Sequence, residues 1–107
     1  MDNVINITND NFEKEVLASS IPVFLDFWSS DCGPCKMMLP MIEELANDYA
    51  GRVKFASVNV EKEDNVIEHH FITSVPTFVV YKDGKIILRK SGAIQKDHLE
   101  KLFTSVL

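Results

Sequence analysis

Cysteine is scarce in this chain: only Cys32 and Cys35 occur among its 107 residues. No apolar stretch approaches the ~20 residues that a membrane-spanning helix requires, so no membrane association is expected. Positive charge is in deficit, with 11 Lys and Arg against 16 Asp and Glu and a net charge of −5. That balance argues against a general nucleic-acid surface and favours a soluble monomer. The start, Met1-Asp2-Asn3, lacks the basic-then-apolar pattern of a secretion signal. The expected compartment is therefore the reducing cytoplasm, where a close cysteine pair is catalytic or metal-binding more often than structural. Repeats, low-complexity segments and linkers are absent, and the length fits one domain spanning 1–107 with a real core.

Against that background the ordered pattern is clear. Val4-Ile5-Asn6-Ile7 reads as a first strand. Asp10 and Glu13 resemble a capping pair for a helix carrying Phe12, Val16 and Leu17. After Pro22, Val23 to Trp28 is a nearly continuous apolar run, the pattern of a central strand buried on both faces. A second helix begins near Cys32 or Gly33, with Pro34 in its first turn, where a missing N–H costs nothing. Met37, Met38, Met41, Ile42, Leu45 and Tyr49 supply its apolar face. Pro40 lies inside it and should kink it, and Gly51 should end it.

Val53 to Val60 reads as the next strand and Glu63 to Phe71 as a weak helix, with His69 and His70 expected on its surface. Thr77 to Tyr81 and Lys85 to Lys90 are two strands joined by Lys82-Asp83-Gly84, an Asp-Gly hairpin signal. A final helix carries Leu99, Leu102, Phe103 and Val106. The order β-α-β-α-β-α-β-β-α predicts an α/β fold, a central mixed sheet with a terminal antiparallel hairpin and helices on both faces.

The chemistry should lie in Cys32-Gly33-Pro34-Cys35. Residues three apart on a helix share a face, so the two sulfurs can meet. The thiolate is the nucleophile, and a helix N-terminus stabilises negative charge. Cys32 should then be the more acidic and exposed thiol, and Cys35, one turn in, the buried resolving thiol that breaks a mixed disulfide. Two other readings remain at this point. A structural disulfide would close a tiny loop and gain little chain entropy. A metal site needs about four ligands, and His69 and His70 lie on a separate helix. Asp26 is a lone carboxylate in an apolar strand, costly unless paired, and burial would raise its pKa. Its bland reading is a structural polar residue facing a cavity or solvent.

These motifs together resemble the thioredoxin family: Phe24-Leu25-Asp26-Phe27-Trp28, Cys32-Gly33-Pro34-Cys35-Lys36, Pro40, Val75-Pro76-Thr77, Lys82-Asp83-Gly84 and Gly92, in order and over essentially the whole chain. The resemblance implies the thioredoxin fold and a protein-disulfide reductase that carries electrons by thiol–disulfide exchange. Cys32 would be the nucleophile, Cys35 the resolving thiol, and Asp26 the acid that moves a proton to and from Cys35. It implies no bound cofactor beyond the Cys32–Cys35 disulfide. The partners would be oxidised protein substrates and a thioredoxin reductase, either a flavin enzyme using NADPH or a ferredoxin-linked one. Gly33-Pro34 between the cysteines is the pattern of the reducing members. Most X–Pro bonds are trans, so Pro76 alone reads as trans; the resemblance implies cis, packed beside the disulfide. It also implies that the Val75 backbone contacts substrate like an added strand, that Trp28 stands beside the active site and that Gly92 keeps the groove open. A docking subunit that keeps the fold without general reductase activity is the alternative, and a metal-bridged dimer a third.

Three positions depart from the family pattern. Asp31 stands where a tryptophan usually precedes the first cysteine, which should alter docking and disfavour the Cys32 thiolate. Ser57 replaces a frequent lysine beside the buried acid, so Asp26 should stay protonated to higher pH. Ser74 replaces a frequent glycine in the substrate-facing loop. Met37 is expected at the groove rim, and the other methionines of that helix in the core.

Overall fold

The apolar run Val23–Trp28 becomes the middle strand, β2, of a five-stranded mixed sheet. A computed structural model describes residues 3–107. Strands β1 (Val4–Ile7), β2, β3 (Lys54–Asn59), β4 (Thr77–Lys82) and β5 (Lys85–Ser91) lie in the order β1-β3-β2-β4-β5. β3 is parallel to β1 and β2, whereas β4 is antiparallel to β2 and β5. The hairpin between β4 and β5 turns on Asp83 and Gly84, both in the left-handed region at φ +53° and +78°. A two-residue turn with that geometry matches the twist of the flanking strands.

Side chains alternate across a strand, and β2 buries both faces. Leu25 and Phe27 enter one layer with Ile7, Phe12, Val16, Val66 and Tyr81. Phe24 enters the other layer, under helices α1 (Gly33–Asp48) and α3 (Lys96–Thr104), where it meets Phe55 at 4.8 Å and Phe103 at 5.6 Å between ring centroids. Asp26 has the parity of Phe24 and so faces α1. The first layer is covered by helix α2 (Asp64–His70) and a single π-helical turn, Glu13–Leu17.

Four details depart from expectation. The Asp10–Glu13 capping pair does not form. Instead Asn11 Oδ1 accepts from the Thr8 N–H at 2.7 Å and Thr8 Oγ1 from the Asn11 N–H at 3.2 Å. The turn therefore starts at Thr8, and the chain closes an i to i−5 bond from the Ala18 N–H to the Glu13 carbonyl. Met37 leaves the apolar face of α1 on which the pattern places it, though not the rim position: it is 82% exposed, because Cys35, Met38, Ile42, Leu45 and Ala46 form the buried stripe and Met37 lies about 100° off it. α3 ends at Thr104, before Val106. Finally, His70 is buried rather than on the surface: Nδ1 lies 2.6 Å from the Val66 carbonyl and Nε2 2.6 Å from the Tyr81 hydroxyl. These partners satisfy both ring nitrogens, which removes the usual cost of burying an imidazole.

Candidate active site

β2 ends beneath the N-terminus of α1. Between them the chain runs through Ser29-Ser30-Asp31, and the Cys32 N–H donates to the Ser29 carbonyl at 3.2 Å. Cys32 caps α1 in an extended conformation, its Sγ accepting from the Cys35 N–H at 3.0 Å. This bond and the helix dipole both favour charge on Cys32 sulfur. Pro34 sits in the first turn, where no backbone N–H is needed. The cysteines form a disulfide across a Cα–Cα distance of 5.2 Å. The expected contrast in burial is not seen in this oxidised form, since Cys32 is 7% and Cys35 6% exposed. Gly33 and Pro34 are the exposed part of the motif, and Asp31 is exposed just before it.

The register of the neighbouring strands brings two distant segments to the same end of the sheet. Thr77 pairs with Phe27 on one side and Ser91 on the other. Val75 and Pro76 therefore sit just beyond β4, beside the end of β2 that leads into the cysteines. The Val75–Pro76 bond is cis. The Gly92 N–H donates to the Pro76 carbonyl at 2.8 Å, and Gly92 takes φ +94°. A Cβ there would meet nothing within 4 Å, so the space above it is open. Thr77 Oγ1 donates to the Ser74 carbonyl at 2.8 Å and steadies the loop before Pro76.

Behind the disulfide lies a cavity of about 440 Å³ bordered by Asp26, Trp28, Cys35 and Ser57. Asp26 is 4% exposed, and its Oδ1 has no hydrogen-bond partner. Burial pushes its carboxyl up from 3.8 to about 7. An acid poised there can take or return a proton near neutral pH. Ser57 is its cross-strand neighbour on β3, and among the described residues no cation offsets the upward shift that burial causes. Trp28 is half-buried at the rim, its carbonyl accepting from the Val60 N–H at 2.9 Å.

One structural residue was not legible beforehand. Glu61 accepts from the Ser30 N–H at 2.8 Å and the Ser30 hydroxyl at 3.0 Å, tying down the approach to Cys32. Those two bonds lower its pKa, the backbone one most. Nothing in the sequence marks one surface glutamate among many for this contact. His69 and His70 lie apart from the cysteines on α2, and among the described residues no cluster of three or more His, Cys, Asp or Glu side chains could hold a metal ion.

Paired thiols at a helix N-terminus, closed as a disulfide at the end of a buried strand, define a thiol–disulfide oxidoreductase. The thioredoxin family model matches residues 3–105, and the chain belongs to the thioredoxin family. It is 40% identical over 106 residues to a thioredoxin of Acidithiobacillus ferridurans, covering 99% of this chain and 98% of that one. A thioredoxin of Allochromatium vinosum is 38% identical over 104 residues, 97% of each chain. One of Chlorobaculum thiosulfatiphilum is 42% identical over 94 residues, 88% of this chain and 87% of its own. The fold is the thioredoxin fold, the function is dithiol redox exchange, and the redox-active group is the Cys32–Cys35 disulfide. Membership implies a reductase and protein substrates as partners in general. Among the described residues, no helix is long and apolar enough to cross a membrane.

Proposed function

We propose that this single-domain protein works as a monomeric cytoplasmic reductant of protein disulfides, with Cys32 as nucleophile, Cys35 as resolving thiol and Asp26 as the proton acceptor and donor. The observation that carries the reading is the Cys35 N–H bond to Cys32 Sγ above a cavity that Cys35 shares with the unpartnered acid. The Cys32 thiolate attacks one sulfur of a substrate disulfide, forming a mixed disulfide and releasing the other substrate sulfur as a thiolate that takes a proton. Asp26 then accepts the Cys35 proton. The resulting thiolate attacks Cys32 Sγ and expels the second substrate thiolate, which is protonated in turn. Substrate gains two electrons, and the protein is left as the disulfide. A thioredoxin reductase, NADPH-driven with flavin or ferredoxin-linked, returns two electrons.

Trp28, Gly33, Pro34, Val75, Pro76 and Gly92 form the substrate groove. The strand ends and the open space over Gly92 support that assignment. Asp31 and Ser57 tune the pair electrostatically. An insulin-reduction assay tests the reading. Native protein should turn over with NADPH and a thioredoxin reductase, Cys32→Ser should be inert, and Cys35→Ser should accumulate the mixed disulfide. An inactive native protein would favour the docking-subunit alternative.

A further inference from the structure

Among the described residues, Met37 is the most exposed large apolar side chain, at 82%. It sits in the second turn of α1, three residues after Pro34 and four before Met41. That spacing puts all three on one side of the helix. They line an open groove of about 430 Å³ with Ala93 and Ile94 from the segment after β5, and apart from Gln95 its walls are apolar. Pro34 belongs to the redox motif and Ala93 follows Gly92. The groove therefore continues the surface assigned above to substrate, and a protein laid on that surface covers Met37.

A thioether gives this position a chemistry that an aliphatic side chain lacks. Its sulfur is polarizable and is oxidised wherever solution oxidants reach it. The neighbouring methionines are shielded to different degrees. Met38 is 5% exposed and packs in the layer with Phe24 and Phe55, and Met41 is half-buried. Exposure thus singles out Met37 among the methionines of α1.

We propose that Met37 is a modification site for hydrogen peroxide, and that its sulfoxide closes the groove to protein substrates. A sulfur lone pair attacks one peroxide oxygen, the O–O bond breaks and an S–O bond forms. The sulfur loses two electrons. The other oxygen leaves as hydroxide and takes the proton from the transferred one, giving the sulfoxide and water. A polar acceptor then stands where the groove offered apolar surface. Docking strips water from that oxygen, so substrate binding weakens. The fold is unaffected, because this side chain already lies in solvent. The proposal rests on the reductase reading and adds a regulation of the same site.

The disulfide form is treated with hydrogen peroxide, freed of it, reduced with dithiothreitol and desalted. It is then mixed in single turnover with insulin or with hydroxyethyl disulfide, a substrate too small to cover the groove. Peptide mapping by mass spectrometry should place the added oxygen on Met37 before Met38 or Met41. The rate with insulin should fall roughly fivefold, the low end for covering an acceptor that loses its water. The rate with hydroxyethyl disulfide and the thermal midpoint should not change. Met37→Leu should keep its own untreated insulin rate after peroxide, and Met37→Gln should be slow with insulin before any treatment. The proposal is overturned if Met38 or Met41 is oxidised first, if the treated protein reduces insulin at the untreated rate, if both substrates slow equally, or if Met37→Leu loses as much rate as native protein. Untreated native protein that reduces neither disulfide would bring down the reductase reading itself, and this proposal with it.

Discussion

His70 Nε2 and the Tyr81 hydroxyl lie 2.6 Å apart inside the apolar layer beneath α2. The Val66 carbonyl, 2.6 Å from Nδ1, can only accept, so Nδ1 carries the proton and Nε2 accepts from Tyr81. Burial pushes the Tyr81 hydroxyl up to about 12, so it remains a donor. The ring is held neutral and in one tautomer.

A pH dependence follows. Desolvation, with smaller contributions from His69 and Arg89, lowers the His70 pKa below its ordinary 6.5. An unfolded chain takes up a proton there as pH falls through 6.5, while the native imidazole stays neutral. The native state is thus fully stabilised by this residue above about pH 6.5 and loses that stability toward more acid pH. His70→Leu should have a flatter acid limb than native protein in urea unfolding followed from neutral to acid pH. Parallel limbs would refute the assignment.

Asp26 acts in the opposite direction. Its carboxyl titrates at about 7 in the fold and 3.8 in the free state. Between those values the unfolded chain is ionised and the native acid is not, so stability falls as pH rises across that window and stays reduced above it. Asp26→Asn should match native stability in strong acid and exceed it progressively toward neutral pH, by an amount approaching about 4 kcal/mol. Its disulfide reduction should slow. Denaturation at acid and alkaline pH checks this, and a constant stability difference would contradict it.

The charge of Asp31 bears on Cys32. Across ~7 Å and an effective dielectric of ~40–80, a carboxylate destabilises a thiolate by roughly 0.6–1.2 kcal/mol, or about half to one pKa unit. Asp31→Trp is expected to make Cys32 more acidic by that amount. Thiolate absorbance against pH in the two reduced proteins measures it, and identical curves would rule the effect out.

Phe71 ends α2 in the left-handed conformation, at φ +53° and ψ +48°, with its side chain 80% exposed. Arg89 clamps this turn, donating to the His70 carbonyl and, at 2.9 Å, to the Phe71 carbonyl. A side chain in that region is strained, and glycine is not. Phe71→Gly should therefore stabilise the protein by up to about 1 kcal/mol in chemical denaturation. A loss of stability would mean that the aromatic ring makes contacts that outweigh the strain.

Much of this architecture was legible because its determinants are local. The apolar run Val23–Trp28 could only be an interior strand, Asp83-Gly84 could only be a tight hairpin, and Pro34 marked the first turn of α1. His70 was misplaced because a seven-residue helix says little about which side is covered, and its partner Tyr81 belongs to β4. Glu61 is illegible in the sequence for the same reason: its contact with Ser30 joins two loops 31 residues apart.

The sequence by itself determined the reacting pair, since two cysteines three apart at a helix start leave little choice of chemistry. It also determined the strand that carries the acid. Only the tertiary structure decided what surrounds them. The cis bond at Pro76, the open space at Gly92 and the empty volume between Asp26 and Ser57 arise where separate strands and helices meet. Each depends on distances between residues remote along the chain, which no local periodicity encodes.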